Sequence, residues 1–126
     1  MADYPLEYYE FFIAYNEGDY YTCHDLLEAM WLTERDNYFL KGLLQMSVAL
    51  YHYGYGNVKG ARLMMQAAHN YLQPYRPFHW SLDLEKVYPF IEDCLQRMPT
   101  SIERIPFEEV HVLPRLPQLL LYMEEH

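Results

Sequence analysis

The feature of this sequence that most constrains its fold is a long apolar stretch between Asp36 and Tyr53. On a helix its apolar side chains point in nearly every direction: Tyr38, Phe39, Leu43, Leu44, Met46, Val48, Ala49, Leu50 and Tyr51. A helix that is hydrophobic all round must be enclosed by other elements. We therefore expect a central helix with other helices packed around it.

The segments on either side of this stretch also show helical spacing. Apolar residues recur every three or four positions through most of the first hundred residues, and no stretch shows the sustained alternation that a half-buried strand needs. The sequence therefore predicts an all-α fold. A first helix is predicted over residues 6–16, with these residues on its apolar side: Tyr8, Tyr9, Phe12, Ile13 and Tyr15. A second helix follows Asp19 as its N-cap, and a fourth follows Asn57 and runs to about Gln73.

The first two predicted helices resemble the third and fourth. When Gly18 is laid over Gly56, Asp19 falls on Asn57 and the turns coincide. A helix, a turn of Gly plus a capping residue, and a second helix is also the pattern of tetratricopeptide-type hairpins, although their consensus Trp and Pro positions are absent. We expect residues 6–73 to form two helical hairpins stacked into a bundle.

Residues 74–126 are predicted to form an extended segment, a fifth helix and an irregular C-terminal arm. The extended segment begins at Phe78 and lays aromatic side chains on the bundle. The fifth helix is predicted over residues 84–98, with Pro89 tolerated only in its first turn. Prolines from Pro99 onward break the arm, and a last short helix over residues 119–123 is expected to dock on its own core or on a neighbouring subunit. The whole chain, 1–126, is predicted to be one compact domain of five to six helices.

Composition bounds the location and the partners. Hydrophobic residues make up 52% of the chain, enough for a core without disulfides or metals. The net charge is −9 and the 9 Lys and Arg residues are scattered, so we expect no nucleic-acid and no membrane binding. Cys23 and Cys94 are predicted to be free buried thiols. No leader pattern or membrane-length apolar run is present, and a cytoplasmic location is expected.

Some polar side chains fall on helix faces that are otherwise predicted to be apolar. On the second helix, His24, Glu28 and Trp31 stand at offsets of three and four residues and share one face. On the third helix, Gln45 and His52 stand seven residues apart, also on one face. If the two helices pack face to face, these side chains meet beneath the Trp31 ring. The pattern predicts a buried His/Glu/Gln cluster.

Three interpretations of this cluster stay open. A buried carboxylate needs a partner, so Glu28 serves a structural role if it only pairs with its neighbours. In a ligand pocket, Glu28 serves as an acid/base that His24 or His52 orients. Two histidines and a carboxylate also suit Zn or Fe, although the segment lacks the second histidine of a zincin motif. No cofactor is predicted, and a divalent metal stays possible.

Other polar and aromatic residues are assigned mainly to packing. His69 and His79 are expected to be satisfied structural histidines. Tyr51, Tyr53 and Tyr55 are interpreted either as core or as the edge of a pocket. The sequence contains no nucleophile elbow, phosphate-binding glycine loop or dinucleotide fingerprint.

Three motifs carry a family resemblance. They are the run from Gly18 to Trp31 with its Tyr, His and Glu positions, then Gly42-Leu43-Leu44-Gln45, then Gly56-Asn57 with Gly60-Ala61. In this order they resemble the prokaryotic family catalogued as domain of unknown function 309, over about residues 11–72. The resemblance implies a compact helical bundle and no known activity. The signature positions that it implies are His24, Glu28, Trp31, Gln45, His52 and Asn57.

Two functional hypotheses follow. The first is an interaction or scaffold module with a protein partner or with self-association, in which the polar cluster is architecture. The second is a small-molecule or metal-dependent enzyme, of hydrolytic type, with Glu28 as acid/base and with His24 and His52 as ligands or orienting groups.

Overall fold

The computed structural model describes residues 3–125 and is mostly helical, as the periodicity predicts. The five α-helices of this part of the chain are α1 (Leu6–Asn16), α2 (Tyr20–Trp31), α3 (Tyr38–Gly54), α4 (Val58–Leu72) and α5 (Leu84–Arg97). Two short 3-10 helices span Gln73–Tyr75 and Phe107–Val112. Strands β1 (Phe78–His79) and β2 (Leu82–Asp83) pair antiparallel between α4 and α5. Each of the described helices falls short of the length and hydrophobicity that a membrane crossing requires.

Helix α3 is the central element, and it packs against α2 on one side and α4 on the other. Most of its side chains are buried, as its all-round hydrophobicity predicts. Even its buried serine, Ser47, has a partner, because its hydroxyl donates to the Leu43 carbonyl. Helix α1 packs against α2, and α5 against α4. The two predicted hairpins are therefore packed side by side.

The two hairpin turns have the same construction. Gly18 and Gly56 both have positive φ values, 77° and 89°. Asp19 then accepts a hydrogen bond from the backbone N–H of Thr22, and Asn57 accepts one from that of Gly60. Each side chain satisfies a backbone donor that the start of a helix leaves free. The predicted N-caps are confirmed.

Two local predictions were wrong. On α1, Tyr9 and Ile13 are exposed, and Phe11 takes their expected place in the core. Helix α1 is apolar on both sides, so spacing alone does not tell which side packs. Pro89 lies in the second turn of α5, not the first. Both Glu85 and Pro89 are exposed, so the carbonyl that loses its helical partner can bond to water.

After the 3-10 helix Phe107–Val112, residues 114–125 of the C-terminal arm form no helix, and the helix predicted over residues 119–123 is absent. The Asn16 side chain donates to the Leu121 carbonyl and accepts from the Leu121 N–H, both at 2.8 Å. Glu124 forms an ion pair with Lys86, and its N–H donates to the Ser81 carbonyl. The backbone bonds to the body of the protein instead of to itself. The arm thus docks on its own core, with the Leu121 side chain buried.

The two thiols are free and buried, as predicted. Burial raises the pKa of Cys23 and of Cys94 to about 12. Since the thiolate is the reactive form, we expect neither cysteine of the native protein to react with Ellman's reagent at neutral pH, and both to react in denaturant. Rapid labelling of a native thiol would contradict the packing around it.

Candidate functional site

The predicted polar cluster lies at the protein surface instead of in the core. The Nε2 atom of His24 lies 3.3 Å from Oε2 of Glu28, and its Nδ1 atom lies 3.2 Å from Oδ1 of Asp25. The side chains of His24 and Glu28 are 37% and 47% exposed. The predicted contact between imidazole and carboxylate is present, but the prediction that the cluster is buried was wrong.

The reason lies in the rotation of helix α2. Its buried residues are Cys23, Leu27 and Met30. His24 and Glu28 each follow one of these by a single position, which turns them by about 100° around the helix axis. They therefore stand beside the apolar face and not on it.

Helix α3 completes a cleft above this flank of α2. The cleft has a volume of about 280 Å³ and is lined by Tyr21, His24, Val48, Tyr51 and His52. We call it the tyrosine cleft. It brings together the two histidines that the sequence analysis selected, one from each helix.

Two other selected residues stand apart from the tyrosine cleft. Glu28 touches His24 but does not line the cleft. Gln45 is half-buried on α3, outside the lining, and within residues 3–125 its side chain makes no hydrogen bond. The predicted meeting of all four polar groups is thus only partly formed.

Trp31 has a different environment from the predicted one. The Lys41 ammonium lies 4.2 Å from the centre of its ring, and the Arg35 guanidinium lies 5.7 Å from it. Such cations are attracted to the face of an indole ring. Trp31 does not line the tyrosine cleft, and its buried Nε1 atom has no hydrogen-bond partner in the described part of the chain. The ring links the end of α2 to the start of α3.

Asn57 is explained by architecture. It caps α4, and a Cβ added at Gly60 would lie 2.4 Å from its side-chain nitrogen. Gly56 has no Cβ, and one added there would lie 2.1 Å from the Ile105 carbonyl oxygen. The Gly56 carbonyl accepts a hydrogen bond from the Ile105 N–H. The Gly-Asn-x-x-Gly motif therefore seats the C-terminal arm against the turn between α3 and α4.

The seated arm extends the tyrosine cleft into a row of exposed rings. Ring centroids are separated by 5.8 Å between Tyr21 and Tyr51, 4.7 Å between Tyr51 and Tyr55, and 5.0 Å between Tyr55 and Phe107. We call these four rings the aromatic strip. Tyr21, Tyr55 and Phe107 are 60%, 53% and 55% exposed.

Sequence reasoning found this strip only in part. It placed Tyr51 and Tyr55 at a possible pocket edge, but also Tyr53, which is buried and donates to the Pro114 carbonyl. Tyr21 was not selected. The sequence could have indicated Tyr21, because it stands three residues before His24 on α2. It could not have indicated Phe107, because the contact of Phe107 with Tyr55 depends on the path of the arm.

The part of the chain that the structure describes contains no group of three His, Cys, Asp or Glu side chains arranged to hold a metal ion. His24 and Glu28 form a pair, and His52 stands on the neighbouring helix. Elsewhere, His69 contacts Glu92 at 3.3 Å, and His79 packs on Phe39.

His52 gives the tyrosine cleft a pH dependence. Burial, and next the positive charge of Arg104, lower its pKa below the ordinary 6.5. The unfolded chain therefore binds the proton more tightly, and the contribution of His52 to stability is lost as the pH falls from 6.5 through the lower folded pKa. We expect His52→Asn to reduce the loss of stability on acidification. Urea denaturation at several pH values measures this, and equal losses in both proteins would contradict it. Burial also lowers the pKa of His79, which both proteins retain.

Comparisons with known proteins found one family model and one relative. The uncharacterized protein YpuF of Bacillus subtilis (strain 168) is 33% identical over 75 residues, which cover 56% of this chain and 42% of that protein. The match thus spans less than half the length of that relative. No solved structure matches this chain. The model of the family described as Domain of unknown function (DUF309) matches residues 8–64, which contain all six signature positions. The resemblance that the three motifs indicated is therefore confirmed, and over residues 8–64 this chain matches the DUF309 family.

Proposed function

We propose that this protein is an interaction module that binds another protein through the tyrosine cleft and the aromatic strip. The observation that carries the proposal is the row of four adjoining rings, three of them more than half exposed. Tyrosine is enriched in the binding surfaces of proteins, and adjoining exposed apolar groups mark such surfaces. Helices α2 and α3, which carry Tyr21, Tyr51 and His24, pack directly on each other.

The tyrosine cleft is small. Its volume of about 280 Å³ lies at the lower end of the roughly 300 to 1,000 Å³ range of small-molecule pockets. A cleft of this size accepts one side chain of a partner. The proposal also includes a cytoplasmic location, since the free thiols Cys23 and Cys94 suit a reducing compartment.

The experiment is site-specific photo-crosslinking in the native cells. Benzoylphenylalanine replaces Tyr55 in one variant and Tyr122 in a control, whose side chain is 61% exposed and lies outside the strip. We expect a discrete protein adduct from position 55 and none, or a different set, from position 122. Equal adduct patterns from both positions would remove the support for the strip as the binding face.

A second candidate is an enzyme with Glu28 as acid/base and with His24 and His52 beside the substrate. The 3.3 Å contact between His24 and Glu28 favours it. Both side chains are exposed enough for water to screen their interaction, whereas acid/base catalysis benefits from a water-excluded site. Hydrolysis of p-nitrophenyl acetate by the protein, reduced at least about tenfold in Glu28→Gln, would favour this candidate over the interaction module.

A further inference from the structure

We propose that the side chain received by the tyrosine cleft is cationic, an arginine or a lysine of the partner protein. This inference rests on the proposed interaction function and adds the chemistry of the occupant. It follows from the rings, the carboxylates and the charges around the cleft.

The aromatic rings of the tyrosine cleft favour a cationic side chain. Tyr21 and Tyr51 line the tyrosine cleft from α2 and α3, and their centroids are 5.8 Å apart. The faces of aromatic rings carry negative potential and attract ammonium and guanidinium groups. Val48 completes the lining and suits the apolar stem of a long basic side chain.

The two carboxylates that contact His24 also favour a cationic side chain. Asp25 and Glu28 contact the two nitrogens of His24, which itself lines the tyrosine cleft. Both carboxylates stay exposed, and neither has a Lys or Arg partner within ion-pair distance among residues 3–125. Each lies within 3.3 Å of a His24 nitrogen, so together they place two negative groups next to this wall of the cleft, although neither lines it. A guanidinium group prefers such acceptors.

The other charged groups near the cleft have opposing effects on a bound cation. Arg104 lies close enough to lower the pKa of His52, and it opposes a second cation. Burial, and next Arg104, lower the pKa of His52 and so favour its neutral imidazole, which leaves a ring nitrogen able to accept a hydrogen bond. Lys41 and Arg35 are engaged by the Trp31 ring instead. With a net charge of −9, the chain as a whole attracts basic segments.

The test uses the full-length protein and four capped tripeptides, acetyl-Gly-X-Gly-amide, in which X is arginine, lysine, norleucine or glutamate. NMR titration follows the ring signals of His24, His52 and Tyr51. We expect the arginine and lysine peptides to shift these signals with dissociation constants of about 1 to 10 mM. They should bind roughly three- to fivefold more tightly than norleucine, and added salt should weaken them.

Two variants separate the contributions. Tyr51→Leu keeps an apolar wall but removes the ring, so it should weaken the arginine peptide and spare norleucine. Asp25→Asn combined with Glu28→Gln should weaken the arginine peptide about threefold. Glu92→Gln is the matched control, because Glu92 pairs with His69 at the same 3.3 Å and neither residue lines the tyrosine cleft.

Three results would overturn the inference. Norleucine binding as tightly as arginine would mean an apolar pocket, and tighter glutamate binding would mean an anion site. Absence of any ring shift with the basic peptides would also reject a cationic occupant. Crosslinking from position 55 would still stand in each case, so failure of this inference is distinguishable from failure of the interaction function.

Discussion

Replacement of Gly56 by alanine is expected to lower the free energy of unfolding by about 3 kcal/mol or more. The φ of Gly56 is 89°, which an L-residue adopts at a cost of roughly 1 to 2 kcal/mol. A Cβ at this position would also lie 2.1 Å from the carbonyl oxygen of Ile105. The arm or the turn must therefore move. Because the arm carries Phe107, the variant should also disturb the ring contact with Tyr55.

Gly18→Ala provides the matched control. Gly18 also has positive φ, 77°, but nothing lies within 4 Å of an added Cβ. This variant should lose only about 1 kcal/mol. Urea denaturation followed by circular dichroism measures both values. Equal losses would mean that residue 105 does not press against the turn, which would contradict the seating of the arm described above.

Tyr8→Ala is expected to lower the free energy of unfolding by about 3 to 5 kcal/mol. The Tyr8 ring is fully buried, and it contacts Phe12 of α1, Phe39 of α3 and Trp80 of the β-hairpin. Its hydroxyl donates to the Trp80 carbonyl at 2.7 Å. One side chain thus joins three elements, and its removal leaves a large cavity.

Tyr8→Phe separates the ring from the hydroxyl. It removes one hydrogen bond and leaves the ring packing, so we expect a loss of about 1 to 2 kcal/mol. Thermal and urea unfolding of the two variants give the comparison. If Tyr8→Phe were as destabilising as Tyr8→Ala, the hydrogen bond to the hairpin and not the packing would hold these elements together.

The helices and their caps could be predicted from the sequence because their signals are local. Asp19 and Asn57 each follow a glycine and precede an apolar run, and each caps the helix expected. The extended arm could not be predicted in this way. The apolar residues 119–123 suggested a helix, but the backbone of Leu121 bonds to the distant Asn16 side chain, and the N–H of the adjoining Glu124 bonds to the Ser81 carbonyl. The spacing of apolar residues in the sequence does not indicate such long-range contacts.

The sequence predicted which residues belong to the candidate site better than it predicted their burial and surroundings. The spacing of His24 and Glu28 correctly placed them within contact of each other. It misjudged their burial, because a rotation by one residue separates the Cys23 face of α2 from the His24 face. The tyrosine cleft depends on how α2 lies against α3, and the aromatic strip depends on the arm. Neither can be read from a single helix.

Four of the six positions that the family resemblance implies fall into two groups. Asn57 and its neighbouring glycines build the turn that seats the arm, and Trp31 joins α2 to α3 with Lys41. His24 and His52 instead line an open cleft at the surface, and neither closes a core. The first group accounts for the fold, and the second leaves a surface whose use is the proposed binding of a partner.

The most direct test of this account is the crosslinking yield from benzoylphenylalanine at position 107 when Tyr21 and Tyr51 are both replaced by serine. Position 107 lies at the far end of the aromatic strip, so the reporter itself is unchanged by the substitutions. We expect the protein adduct to be lost. We also expect the double variant to unfold at the same urea concentration as the protein that carries only the reporter. An undiminished adduct from the folded double variant would contradict the tyrosine cleft as the binding face.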